Sequence, residues 1–263
     1  MQQPKVCAVC VTANRQEFTR QAIGDFRAQS YPNKCLVVWD TSDTREPHAA
    51  FIADMRDKEY YIHDSERLVI GQLRNRANSY ACSGEGFGVP DILMHLDSDD
   101  RSHPNRIAEQ VALLQSSGAD VVGYSELLFW REPWLNMVQM PEGYSKPVSG
   151  NLKGEAWLYR DLTGKHPPGS SLAFWRRTWE HKPFQATSHG EDRSFVAGLK
   201  VASISSVDHT GPEMRNAPRM VCRIHPGNTS SSYANIEQEA RKKNPAWQRV
   251  PQWDSYCAEI FSR

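Results

Sequence analysis

Apolar residues over the first 125 positions follow two rhythms. Short unbroken runs alternate with stretches in which apolar residues recur every three or four positions. VCAVCVT (6–12) and CLVVWD (35–40) are continuous and rich in β-branched residues, the pattern of strands buried on both faces. Residues 60–62, 91–96 and 119–125 predict further strands. Between the first two runs, Phe18, Ala22, Ile23 and Phe26 fall on one face of a helix predicted over 18–29, which Tyr31-Pro32 ends. Helices are also predicted over 47–55, 71–83 and 104–114, the last with Pro104 in its first turn. Strands alternating with helices of this length predict an α/β domain, with a mostly parallel sheet flanked by helices. Ligands of such sheets bind beyond the carboxyl ends of the strands. Thr12-Ala13-Asn14-Arg15, Asp40 and Asp97-Ser98-Asp99 all fall at those ends.

After residue 125 the rhythm fades. Aromatic runs (LLFW, EAWLY, LAFW) are broken by Gly and Pro, which predicts a smaller continuation of the same domain. The 263 residues are enough for one large domain with a proper core. No apolar run approaches the roughly 20 residues needed to span a bilayer. The opening MQQPKVCAVCVTANR carries one lysine and no cleavable signal pattern, so a soluble, cytoplasmic protein is expected. Cys7 and Cys10 form a CxxC inside a predicted strand. Their three-residue offset points them to opposite faces, as buried free thiols rather than a redox or zinc pair. Charge is uneven: residues 1–131 hold 14 basic and 18 acidic side chains, residues 132–263 hold 17 and 13. The first half suits a cation and the second an anionic partner.

In DILMHLDSDDRSHP (91–104), an apolar run ends in Asp97, Asp99 and Asp100. Carboxylates this close repel. One reading is a solvated loop in which Asp100 or Ser102 caps the next helix. The other is a site for Mg²⁺ or Mn²⁺, which bind through one or two carboxylates plus substrate phosphates. These residues alone leave both open.

Five further segments bear on the choice. VCVTANR, LVVWDTSDT, GQLRNRANSY, GEDRSF (190–195) and CRIHPGNTS (222–230), taken in order with LDSDD, resemble the family-2-like glycosyltransferases with a GT-A fold. Ala13 departs from the pattern, since an aromatic is common there. The resemblance implies the nucleotide-diphospho-sugar transferase fold, a Rossmann-like mostly parallel sheet with a smaller acceptor-side extension. Residues 1–125 would form the donor half, and 126–263 the acceptor half and C-terminal segment of the same domain. It further implies donor contacts from Thr12, Ala13, Asn14, Arg15, Asp40, Arg74, Asp97 and Ser98, with Asp40 on the base and Arg74 preferred to Arg76. Asp99 would ligate Mn²⁺ or Mg²⁺, with Asp97 beside it and His225 as a third ligand. Asp192, or alternatively Glu191, would be the general base of an inverting transfer. Gly169, Ser170 and Ser171 would border the sugar, and Trp175 and Trp179 could stack on a ring.

The donor implied is a UDP-sugar such as UDP-glucose or UDP-galactose. The acceptor is less legible. A surface polysaccharide or lipopolysaccharide precursor comes first. The tail ARKKNPAWQRVPQW (240–253) mixes basic residues with Trp247 and Trp253, a pattern able to bind a polyanion. Hydroxymethylated DNA, as for phage-type enzymes acting in a host cytoplasm, is therefore the alternative. Two readings of other classes compete: a phosphatase whose strand ends in DxD, and a nucleotide-binding protein without catalysis.

Overall fold

The computed structural model describes residues 3–44, 52–139, 145–207, 217–225 and 245–262. Four strands lie parallel at one end of the main sheet: β1 (Val6–Thr12), β2 (Lys34–Asp40), β3 (Glu59–His63) and β4 (Ile92–His95), in the order β3-β2-β1-β4. Their residues alternate between two cores. Val6, Ala8, Cys10, Leu36, Val38, Ile92 and Met94 face one, and Cys7, Val9, Cys35, Val37 and Leu93 the other. Both faces are covered, which is why these strands read as unbroken apolar runs. Cys7 and Cys10 do sit on opposite faces, as buried free thiols.

Helices α1 (Gln16–Arg27) and α3 (Arg106–Ser117) pack on the first core, and α2 (Ile70–Ser83) on the second. Gly84 and Gly118 end α2 and α3 in the left-handed conformation. α3 starts two residues later than its sequence predicts. Asn105 is its N-cap and makes no side-chain cap, so Pro104 lies before the helix and neither Asp100 nor Ser102 caps it; Ser102 Oγ instead accepts from Arg106 Nη1 at 2.9 Å. The helix predicted over 47–55 lies mostly outside the described residues, as do 226–230 and 240–244 of the segments noted above.

The other half of the sheet is joined through β6 (Val121–Arg131), a strand longer than its apolar run suggests. The 125/126 boundary falls inside it. β10 (Ala173–Trp175) inserts antiparallel between β4 and β6. β11 (Val201–Ser205) and β12 (Met220–Ile224) run parallel to β6 along its two halves, and β12 also pairs with the short β5 (Arg101–Ser102). Beyond β6 lie β9 (Glu155–Arg160) and β13 (Trp247–Arg249), both antiparallel. β7 (Trp134–Gln139) and β8 (Ser145–Asn151) form a separate hairpin. Short helices α4 (Arg176–His181) and α5 (Glu191–Val196) and the terminal α6 (Asp254–Ser262) complete the described chain. No helix among the described residues is long and apolar enough to cross a membrane.

Candidate active site

A cleft of about 770 Å³ opens beyond the carboxyl ends of β1 and β4 and runs on to β6, β9 and β13. That is the size of a small-molecule site. The three carboxylates after β4 reach it without meeting one another's charge unshielded, because each has its own partner. Asp97 lies 3.7 Å from Arg74 Nη2. Asp99 Oδ2 accepts from Arg15 Nη1 at 2.8 Å and from His225 Nε2 at 3.0 Å. Asp100 accepts the backbone N–H of Arg223 at 3.1 Å. Burial pushes the Asp97 carboxyl up, with the charge of Asp99 adding to it and Arg74 opposing. Burial also raises Asp99, but the His225 hydrogen bond and the Arg15 charge outweigh it and hold Asp99 below the usual range. Asp100 is driven well up by burial and by its two acidic neighbours. The expected helix cap does not form: Asp99 and Asp100 are buried, and Asp97 keeps part of its side chain open to the cleft.

Arg74 organises the far side. It is 6% exposed, and its Nη1 donates to Glu191 Oε1 at 2.8 Å. Arg76 instead bridges Asp64 and Glu66 outside the cleft. Glu191 and Asp192 have different partners. Glu191 turns inward onto Arg74, its pKa raised chiefly by burial. Asp192 lies along the cleft and accepts the Gly169 N–H at Oδ2, 2.9 Å away. Two glycines make this possible by close approach. A Cβ at Gly71 would fall 1.8 Å from the Gln185 carbonyl oxygen, and one at Gly169 would fall 2.8 Å from both Asp192 Oδ2 and Arg74 Nη1. Behind Gly169, the buried His95 donates from Nδ1 to its carbonyl at 2.9 Å.

Thr12, Ala13, Arg15, Ser98, Gly169 and Ser170 line the cleft as well. Other expected residues do not. Asn14, at φ 54°, ties the loop after β1 to Ser42 and Asp43. Asp40 is fully buried and holds Ser42 N–H (2.9 Å), Ser42 Oγ and Tyr61 Oη. Ser171 is buried and accepts the Tyr124 N–H. Trp175 and Trp179 are not on the cleft, so the expected stacking is corrected. The Trp175 indole donates to Ala119 O at 3.1 Å and that of Trp179 to Asn75 Oδ1 at 2.9 Å.

His225, expected as a third ligand, hydrogen-bonds Asp99 Oδ2 through Nε2 and is not among the residues that line the cleft. Among the described residues, no three His, Cys, Asp or Glu side chains form a group able to hold a metal ion. The donor set still fits Mg²⁺ or Mn²⁺, because two carboxylates at the cleft completed by substrate phosphates satisfy such ions.

One wall of the cleft is not among the expected site residues. Phe129, Tyr159 and Trp247 line the cleft opposite the carboxylates, with ring centroids 5.0–6.2 Å apart. The aromatic runs on β6 and β9 were a signal, but the pairing with β13 was not visible.

Residues 7–167 match the profile of Glycosyl transferase family 2. No curated protein matches the chain. Among solved structures, the mannosyltransferase PcManGT from Pyrobaculum calidifontis, in complex with GDP-Man and Mn²⁺, is 15% identical at a TM-score of 0.59, over 97% of this chain and 68% of that one. S. aureus TarS 1-349 in complex with UDP-GlcNAc is 13% identical at 0.58, over 89% and 63%. The same TarS fragment with UDP is 14% identical at 0.53, over 84% and 61%. The chain thus spans less than two thirds of those TarS chains. At these identities the likeness concerns the fold, and the expected GT-A architecture is the one present.

Proposed function

The chain belongs to glycosyl transferase family 2, and we propose that it moves a hexose from a nucleotide-diphosphate sugar to an acceptor hydroxyl with inversion. Family membership removes the phosphatase reading. A UDP-sugar such as UDP-glucose or UDP-galactose is the preferred donor, supported by the two neighbours solved with UDP and UDP-GlcNAc, and the GDP-Man of the third makes a GDP-sugar the competitor.

One observation carries this reading: Asp192 faces the same cleft as Asp97 and Asp99, held there by the Gly169 N–H. The family match ends at residue 167, so the assignment of Asp192 rests on this geometry. Asp192 takes the proton of the acceptor hydroxyl. The freed oxygen bonds to the anomeric carbon. The bond from that carbon to the diphosphate oxygen breaks, and its electron pair leaves with the nucleoside diphosphate. A base on the acceptor side, across from the leaving group, supports in-line attack and inversion. Asp99 and Asp97 would hold Mn²⁺ or Mg²⁺, which supplies neutralisation of the leaving diphosphate's charge. Both acids line the cleft, but Glu191 is engaged by Arg74, which favours Asp192 as the base.

A thermal-shift series with UDP, GDP and CDP, each with and without Mn²⁺, tests the donor side, since a ligand of the folded state raises its stability. Stabilisation by one nucleotide only with metal is expected. Asp192→Asn should keep that shift and lower transfer by about 10²–10⁴-fold. Full transfer by Asp192→Asn would refute the base.

A further inference from the structure

The donor reading above assigns no role to the aromatic wall of the cleft. Its three residues come from three adjacent strands, in the order β6-β9-β13. Tyr159 and Trp247 are direct cross-strand partners. Phe129 is two residues along β6 from Leu127, the partner of Tyr159, and so is its diagonal neighbour on the same face. The centroids of Phe129 and Tyr159 each lie 5.0 Å from that of Trp247. All three are half-buried, leaving ring surface to the cleft. The wall therefore presents an apolar platform in the same cleft as Asp192. Apolar surface left open in a cleft this size marks a ligand face.

The charges around the platform narrow the ligand. Asp161 and Asp192 stand beside it, with exposed Arg193 as a neighbouring cation. Asp161 is engaged in folding its own loop, accepting from Thr163 and His166 N–H groups. Arg160, on the strand that carries Tyr159, is paired with Glu126 at 2.6 Å. A phosphate backbone needs a track of available cations; Arg15, Arg74 and Arg223, which also line the cleft, are each paired with a carboxylate. An uncharged ring with an apolar C–H face and a hydroxyl edge does fit. Pyranose faces meet aromatic rings through such C–H surfaces, while the hydroxyls stay with polar neighbours.

We propose that Phe129, Tyr159 and Trp247 form the acceptor subsite and that the acceptor is a saccharide whose pyranose ring stacks on this wall, its hydroxyl directed to Asp192. This rests on the transferase reading above and names the acceptor class for it. Trp247, at the end of the row, offers the ring most easily altered without opening a core.

The test measures UDP release from UDP-glucose and UDP-galactose with Mn²⁺, with water alone or with cellobiose, lactose or p-nitrophenyl β-glucoside as acceptor. A hydroxymethylcytosine-containing duplex is the parallel arm. At least one saccharide is expected to raise UDP release. Trp247→Ala should raise its KM about tenfold or more, with kcat changed less, and Trp247→Phe should recover most of the loss. Trp175→Phe, a tryptophan away from the cleft, should behave as the parent. UDP-dependent thermal stabilisation of each variant shows that it is folded. An unchanged saccharide KM in Trp247→Ala overturns the proposal. So does acceleration by the duplex and by none of the saccharides, or by no acceptor at all while UDP-sugar hydrolysis proceeds. Failure of the donor reading looks different: the parent protein shows no nucleotide-dependent stabilisation, and this proposal falls with it.

Discussion

The two sides of the cleft are built in opposite ways. Its donor floor lies at the ends of parallel strands and carries charge: Asp99 between Arg15 and His225, Arg74 between Glu191 and Asp97, Asp100 under the Arg223 amide. The acceptor wall lies on antiparallel strands and is aromatic, with Phe129, Tyr159 and Trp247 in mutual contact. Charge that must develop on a leaving diphosphate is stabilised best by groups already fixed in place. A ring that must be admitted and released needs surface instead. The floor should thus fail steeply when one member is altered, and the wall gradually.

The sharpest way to break the contrast is Asp99→Asn. It removes half of the carboxylate pair available to a cation and leaves Arg15 and His225 facing a neutral amide. Transfer should fall by about 10²–10⁴-fold, several kcal/mol of lost charge stabilisation. Stability should fall too, by about 1–3 kcal/mol, because a buried charge loses its partner. Initial rates and urea midpoints check both. Near-parental transfer by this variant would show that the floor does not handle charge.

A smaller effect is expected one step back. His95 is buried between Phe174 and Phe184, with centroids 5.4 and 5.1 Å away. Burial, aided by the Arg74 charge, drives its pKa well below the ordinary histidine value, so the ring is neutral. Its Nδ1–H fixes the Gly169 carbonyl while the Gly169 N–H fixes Asp192. His95 is a positioning residue for the base. His95→Phe should lower kcat about tenfold with little change in donor KM, and His95→Asn, which places an amide N–H near the Nδ1 position, should restore most of it. Equal losses in both variants would reduce His95 to packing.

The legibility of the molecule divides along the same line. Buried parallel strands announce themselves as unbroken apolar runs, so β1, β2 and β4, and with them Asp97 and Asp99, could be placed from residues alone. β6 could not be followed past Ser125, because Glu126 interrupts the apolar run; the strand continues because Arg160 neutralises that residue from β9. α3 starts late because His103–Arg106 first close a turn, the Arg106 N–H donating to the His103 carbonyl at 3.0 Å. Trp247 was the hardest, since its position depends on pairing with Tyr159 across a long stretch of chain. The Glu191-Asp192 doublet was visible, but no sequence spacing says which acid turns to Arg74. That depends on the close approach at Gly169.

The smallest expected effect sharpens the comparison within a single helix. Arg74 and Arg76 are two positions apart on α2, so they point to different faces. Arg74 enters the floor, and Arg76 joins Asp64 and Glu66 on the outside. The Arg76 hydrogen bond is the largest influence holding Asp64 below the usual carboxylate range. A carboxylate with a depressed folded-state pKa contributes stability above its unfolded value and loses it as pH falls through the folded one. Arg76→Ala should therefore lower the unfolding midpoint slightly at neutral pH in low salt. The difference should vanish at acid pH, once Asp64 is protonated, and shrink in high salt, as for any exposed pair. Transfer kinetics should be those of the parent. If Arg76→Ala instead abolished nucleotide-dependent stabilisation, the floor would have to be redrawn with Arg76 inside it, and the inward turn of Arg74 onto Glu191 would no longer explain which arginine serves the site.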